Sequence, residues 1–195
     1  MRDVAKLGLV LFLVCAIAAG LLAVTNYITA PVIQAKTIEQ ENEAKRAVLP
    51  QADEFETMKE AAAVFESYHN ENFELIQQVD VAYSDGAFAG YVIKLAVGGY
   101  GGDIVLMVGI TEEGNVADFA VISHSETAGL GSKIDEESFR SQYRDKSGEL
   151  VVVKTTPSSE TQVQAITSAT ISSKAVTRGV NTALEAYTVL SEYQQ

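Results

Sequence analysis

Hydrophobic and polar positions divide the chain into three textures. In the first, Leu7–Val24 is apolar or glycine at every position, and no charged residue falls between Lys6 and Lys36. A helix of that length covers about 27 Å, and extension to Ile28 passes the ~30 Å of a bilayer core. The run outlasts the ~7–15-residue apolar region of a cleaved signal peptide. It predicts a transmembrane helix, with Tyr27 as an interfacial anchor. Pro31 is expected to end or kink that helix. The second texture, Lys36–Leu49, is rich in Glu, Lys, Ala and Gln and meets a stop at Pro50, so it reads as a juxtamembrane helix. Glu54–Tyr68, around Ala61-Ala62-Ala63, reads as one more helical stretch.

In the third texture the period shortens to two. Val79–Tyr83 alternates, Asp85-Gly86 is a hairpin turn signal, and Phe88–Val97 continues as a strand. Asp103–Ile110 and Val116–Ser123 predict two more strands around a turn at Glu112–Asn115. Glu136–Tyr143 predicts a short helix and Leu150–Lys154 another strand. From Ser172 to about Tyr193 the period lengthens again: Val176, Val180, Ala183, Tyr187 and Leu190 form one apolar helical face. The expected class is α+β, a mostly antiparallel sheet flanked by helices behind an N-terminal transmembrane helix.

Charge narrows the partners. The 195-residue chain carries a formal net charge of −12. Of its 14 basic and 26 acidic residues, only Arg2, Lys6 and Asp3 precede residue 36, which leaves 12 basic against 25 acidic. Such a domain lacks the basic footprint of a nucleic-acid binder. Arg2 and Lys6 precede the apolar run and no basic residue follows until Lys36, which places the N-terminus in the cytoplasm and the domain outside it. The single cysteine, Cys15, lies in the apolar run. Disulfides, cysteine-ligated clusters and structural zinc are thereby excluded from the domain. With only His69 and His124, a histidine-rich metal site is not expected either.

Three stretches carry candidate chemistry. Thr167-Ser168-Ala169-Thr170-Ile171-Ser172-Ser173-Lys174 opens the last helix and follows a hydroxyl-rich loop, Thr155–Thr161. Ser and Thr there serve as helix caps, yet a helix start also attracts anions through its free N–H groups and dipole. Five hydroxyls between Thr167 and Ser173 exceed the needs of one cap. The second stretch, His124-Ser125-Glu126-Thr127-Ala128-Gly129-Leu130-Gly131, leaves a strand directly. Taken alone it is a loop with a tight turn, and His124 a polar residue at a strand end. The third, Gly98-Gly99-Tyr100-Gly101-Gly102, is either a flexible hairpin loop or a loop shaped to lie against a flat ligand.

Behind one apolar helix, and in the chain order Gly98–Gly102, His124–Gly131, Thr167–Lys174, the three stretches resemble the FMN-binding domain of RnfG, the G component of the Rnf electron-transport complex. That domain is related to the C component of the sodium-translocating NADH:quinone reductase. The family's flavinylation motif is roughly Asp-x-x-Ser/Thr-Gly-Ala-Thr, and here the chain reads Gln164-Ala165-Ile166-Thr167-Ser168-Ala169-Thr170. Gln164 replaces the Asp and Ser168 the usual Gly. The resemblance implies a covalent FMN, taken from FAD by a flavin transferase and esterified through its phosphate to Thr170. It also implies cofactor contacts from Glu126, Thr127 and Leu130, in a loop like the family's Glu-Thr-Pro-Gly-Leu-Gly with Ala128 in place of Pro. Tyr100, Lys154, Thr167, Ser168, Ala169 and Ser172 complete the implied site. No residue is expected to act as acid, base or nucleophile in turnover, and no metal is expected.

The expected organisation is a cytoplasmic tip and transmembrane helix over 1–30, a juxtamembrane helical region over 31–70 and an FMN-binding domain over 71–195. The expected function is electron transfer in a membrane complex that couples ferredoxin and NAD to ion movement, with other membrane subunits as partners. Alternatives are the corresponding component of a sodium-translocating quinone reductase, or a flavin-binding or structural membrane module without covalent FMN. A hydrolase built on His124 and a serine lacks a nucleophile motif.

Overall fold

The computed structural model describes residues 2–193. The chain divides into two compact units, Met1–Asn42 and Glu43–Gln195, and helix α1 (Arg2–Val48) begins in the first and ends in the second. Within the first, Lys6–Ala30 is long and apolar enough to cross a membrane, and none of its most apolar window is covered by protein. Two hydroxyls in that span are satisfied by the helix itself. Thr25 Oγ1 donates to the Leu21 carbonyl and Thr29 Oγ1 to the Thr25 carbonyl, each at 2.9 Å. Hydrocarbon offers no partner, so such back-bonding is what a spanning helix requires. Of the two expected outcomes at Pro31, an end of the helix does not occur: the helix continues to Val48. A proline costs one backbone bond, and the helix-forming run from Lys36 carries the helix past it. The stop falls at Val48, ahead of Pro50, because a residue preceding proline is driven out of the α region.

The second unit contains β1 (Glu54–Thr57), α2 (Ala61–Ser67), β2 (Ile76–Ser84), β3 (Ala87–Gly98), β4 (Asp103–Thr111) and β5 (Val116–Ser123). Then come a single-turn helix α3 (Glu137–Arg140), β6 (Val151–Val153), β7 (Gln162–Gln164) and α4 (Thr170–Tyr193). Strands β1 to β5 form one sheet in chain order, each antiparallel to its neighbour. The expected α+β class with a mostly antiparallel sheet is therefore correct. Asp85 and Gly86 take positive φ at the β2–β3 turn, as a two-residue hairpin of matching twist demands. One expectation fails: Glu54–Tyr68 is not a single helix. Its first residues pair with β2, Glu54 opposite Tyr83 and Thr57 opposite Asp80, and only Ala61–Ser67 is helical.

Alternation along β3 sorts the two faces of the sheet. Tyr91, Ile93, Leu95 and Val97 join Leu106, Val108, Phe119 and the α4 residues Val176, Val180 and Ala183 in the larger core. Val92 points the other way, with Ala82 and Met107, onto Val48 and Leu49 at the end of α1. Successive side chains of a strand point to opposite faces, so one sheet serves two layers. Both helices approach the strands closely. A side chain at Gly179 would meet Leu106 at 2.7 Å and Leu95 at 2.8 Å, and one at Gly109 would strike the Val48 carbonyl. Behind the sheet, Lys45 Nζ lies 2.8 Å from Asp80 Oδ2, both side chains nearly solvent-free. Thr57 and Gln78 donate to the same carboxylate.

The last strands stand apart. β6 and β7 pair with each other in parallel, Val152 opposite Val163. The Asn181 amide of α4 donates to the Leu150 carbonyl and accepts from its N–H, both at 2.9 Å. The chain before β6 is thus fastened to α4 as a neighbouring strand would fasten it, and β7 leads into the turn that opens α4.

Candidate cofactor site at the start of the last helix

Three segments converge where α4 begins. The turn between β3 and β4 closes with a bond from the Gly99 N–H to the Gly102 carbonyl at 2.8 Å. Its next two N–H groups, of Tyr100 and Gly101, donate to Glu126 Oε1 at 2.8 and 3.0 Å. Glu126 Oε2 accepts the Ser172 hydroxyl of α4 at 2.5 Å. The Glu126 N–H in turn donates to His124 Nδ1 at 3.1 Å, and His124 Nε2 lies 3.4 Å from Asp135. Glu126 is 8 % exposed. Burial pushes its carboxyl up, but the hydrogen bonds from Ser172, Gly101 and Tyr100 and the nearby His124 outweigh burial, and its pKa falls below the usual 4.5.

The start of α4 is built differently. Ser168 has a φ of +66°, a conformation that glycine adopts without cost and other residues rarely enter. This turn aims the helix. Ser173 holds it, accepting the Ile166 N–H at 3.0 Å and donating to the Ala169 carbonyl at 2.9 Å. The first helical bond runs from the Ser173 N–H to the Ala169 carbonyl, so the N–H groups of Thr170, Ile171 and Ser172 precede it and have no acceptor among the described residues. Of the five hydroxyls in this stretch, those of Ser172 and Ser173 are committed to protein partners. Those of Thr167, Ser168 and Thr170 have none among the described residues.

Between these segments lies a cavity of about 450 Å³. Of the residues the sequence singled out, Tyr100, Glu126, Thr127 and Leu130 line it from the two loops. Ser168, Ala169, Thr170 and Ser172 line it from the helix side. Gly131 and Ile171 also line it, and the sequence pattern had not marked them as contacts. Gly131 could have been found as the last residue of its loop motif, and Ile171 as an apolar residue beside a cluster of hydroxyls. Thr167 and Lys154 are exposed and not among the lining residues. Lys154 lies one residue beyond β6, and β7 intervenes before α4. The rim is apolar: Tyr100 is 71 %, Ile171 56 % and Leu130 43 % exposed. A phosphorylated, ring-bearing ligand fits this arrangement, with open N–H groups for its phosphate and apolar side chains for its ring.

Residues 99–185 match the family model of the FMN-binding domain, and residues 1–48 match that of the RnfG N-terminal region. All three cavity walls lie inside the first match, so the cavity belongs to the chain's FMN-binding domain, which follows an apolar helix. The chain is 38% identical over 197 residues to the G component of the Na(+)-translocating ferredoxin:NAD(+) oxidoreductase complex of Acetobacterium woodii, covering 98% of this chain and 95% of that protein. It is 34% identical over 181 residues to the G component of the proton-translocating ferredoxin:NAD(+) oxidoreductase complex of Clostridium ljungdahlii, covering 93% and 90%. The chain belongs to the RnfG family, the G components of the ion-translocating Rnf oxidoreductase complexes. Its fold is also that of the C component of the Na(+)-translocating NADH-quinone reductase from Parabacteroides distasonis, with a TM-score of 0.59 at 18% identity over 80% of this chain and 94% of that one.

Proposed function

We propose that this chain is the electron-transfer subunit of an ion-translocating ferredoxin:NAD oxidoreductase complex, and that it carries FMN esterified to Thr170. The observation that supports the attachment point is the Thr170 hydroxyl, which has no hydrogen-bond partner among the described residues and lines the cavity at the start of α4. FMN supplies one- and two-electron redox chemistry, and the protein supplies position and electrostatics. The N–H groups of Thr170, Ile171 and Ser172 would hold the phosphate oxygens. Tyr100, Leu130 and Ile171 would cover the ring. An ester link suits a domain outside the cytoplasm, which has no pool from which to replace a lost cofactor.

Attachment is a transfer from FAD by a flavin transferase. The Thr170 oxygen bonds to the FMN phosphorus, the bond from that phosphorus to the AMP oxygen breaks, AMP leaves, and the hydroxyl proton passes to the transferase or solvent. Thr170→Val keeps the shape and removes the oxygen. With an active transferase present, intact mass should show FMN on the parent chain and none on the variant, while melting remains cooperative. FMN found on Thr167 or Ser172, or on no residue, would overturn the reading.

Arg2 and Lys6, ahead of the apolar run, support an orientation with the N-terminus in the cytoplasm and the domain on the far side. With Cys15 replaced by Ser, a cysteine introduced in the Thr155–Thr161 loop should react with an impermeant thiol reagent in whole cells. Labelling only after lysis would reverse the topology.

A further inference from the structure

Glu126 lines the cavity, yet each of its carboxylate oxygens is already engaged by the protein. It belongs to one wall of the cavity and bonds both of the others. Oε1 holds the 98–102 turn through the Tyr100 and Gly101 N–H groups, and Oε2 holds the first turn of α4 through Ser172. Surrounding glycines leave room for it. A side chain at Gly99 would strike Oε1, and one at Gly131 would strike Oε2. Ser172 follows Thr170 by two residues, within the same helical turn.

We propose that Glu126 is the positioning residue of this site: a clamp that touches neither the flavin nor the Thr170 hydroxyl, and that sets the acceptor turn against the other two walls through Ser172 and the glycine turn. The inference rests on the reading of Thr170 as the attachment point. It differs from a contact role in a definite way. A clamp works through donors and acceptors, so glutamine, which still accepts from two N–H groups and can donate to the Ser172 oxygen, replaces glutamate well. A residue acting through its charge on the cofactor loses its effect equally in glutamine and alanine.

The test is the rate at which full-length apoprotein acquires FMN from FAD and purified flavin transferase, followed by intact mass. Glu126→Ala should load about tenfold more slowly, the scale on which a small misplacement of a reacting group acts. Glu126→Gln should stay within about twofold of the parent. Ser172→Ala should slow loading, and the Glu126→Ala/Ser172→Ala double should be no slower than Glu126→Ala, because both remove one linkage. Val180→Ala, a core truncation far along α4, should lower the melting temperature and leave the loading rate unchanged. The clamp is overturned if Glu126→Ala loads normally, if Glu126→Gln is as slow as alanine, if the two single effects multiply, or if Val180→Ala slows loading equally. Should Glu126→Ala fail to fold, slow loading by Ser172→Ala with near-normal loading by Glu126→Gln still supports the clamp, and any other pattern overturns it. A parent chain that never loads beside an active transferase refutes the Thr170 reading instead.

Discussion

Behind the sheet, the Asp80 carboxylate meets the Lys45 ammonium at 2.8 Å, with Thr57 and Gln78 as further donors. In the cavity wall, the Glu126 carboxylate accepts hydrogen bonds, among the described residues, from neutral groups: two backbone N–H groups and one hydroxyl. Both are buried, and they are satisfied by opposite means. An ion pair between side chains demands little of the backbone, and an apolar pair of similar volume can replace it. A carboxylate held by backbone N–H groups dictates the path of the chain around it. The first fastens the end of α1 to the sheet, and the second gives a loop its shape. The ion pair sits on a strand of the sheet, and the neutral-donor carboxylate sits in the loop beyond β5.

The largest effect should come from breaking the first arrangement halfway. Lys45→Ala leaves Asp80 buried without its cation and should cost about 3 kcal/mol, measured by denaturant unfolding of the detergent-solubilised chain. The double variant Lys45→Met/Asp80→Leu should recover most of that loss. A silent Lys45→Ala would mean that the pair is solvated. Next is Ser172→Ala, which deletes a hydrogen bond to a charged acceptor and should cost about 2 kcal/mol by the same assay.

The third prediction concerns acid. The folded-state pKa of Glu126 lies below its ordinary 4.5, so between those two values the unfolded chain binds the proton and the folded chain does not. Stability from this group is therefore fully present above 4.5 and is lost as the pH falls through the folded value. Glu126→Gln should flatten the acid limb of a stability-versus-pH curve in that window and leave the neutral limb parallel to the parent. An unchanged acid limb would show that the neutral donors do not favour the charged form.

The smallest effect should be a gain. Ser168→Gly suits the positive φ at that position and should stabilise the domain by about 1 kcal/mol, read as a rise in melting temperature. It also restores the glycine that the family motif usually carries there. A loss of stability instead would mean that the serine side chain has a partner in solution.

Local signals made much of the sheet legible. The Val116–Ser123 strand matches to the residue, because its alternation and its flanking turns are both encoded within it. Glu54–Thr57 was hidden by its neighbours. Two glutamates near an alanine run favour helix locally, and only pairing with Asp80–Tyr83, far along the chain, makes it a strand. Gln162–Gln164 was missed for a related reason: of its three residues only Val163 is buried. At the site, the hydroxyl cluster at the start of α4 and the Glu126 loop could be named from sequence, and the structure brings Ser168, Thr170 and Ser172 of the one and Glu126 of the other to one cavity. The partner of the glycine turn could not. Four glycines say that something approaches closely, and they do not say that it is a carboxylate from another loop.

Helix α4 follows every strand among the described residues, yet its Val176, Val180, Ala183 and Leu190 enter the larger core, and Thr170 is its first residue. During synthesis the sheet therefore emerges before the element that covers it, and its apolar face stays open until α4 docks. The turn that opens α4 has its full set of hydrogen bonds only when Ser172 reaches Glu126 and Ser173 reaches Ala169. A transferase that reads this turn would act on finished molecules and pass over half-folded ones. Flavin content, in a population of chains, then becomes a record of how many completed their assembly.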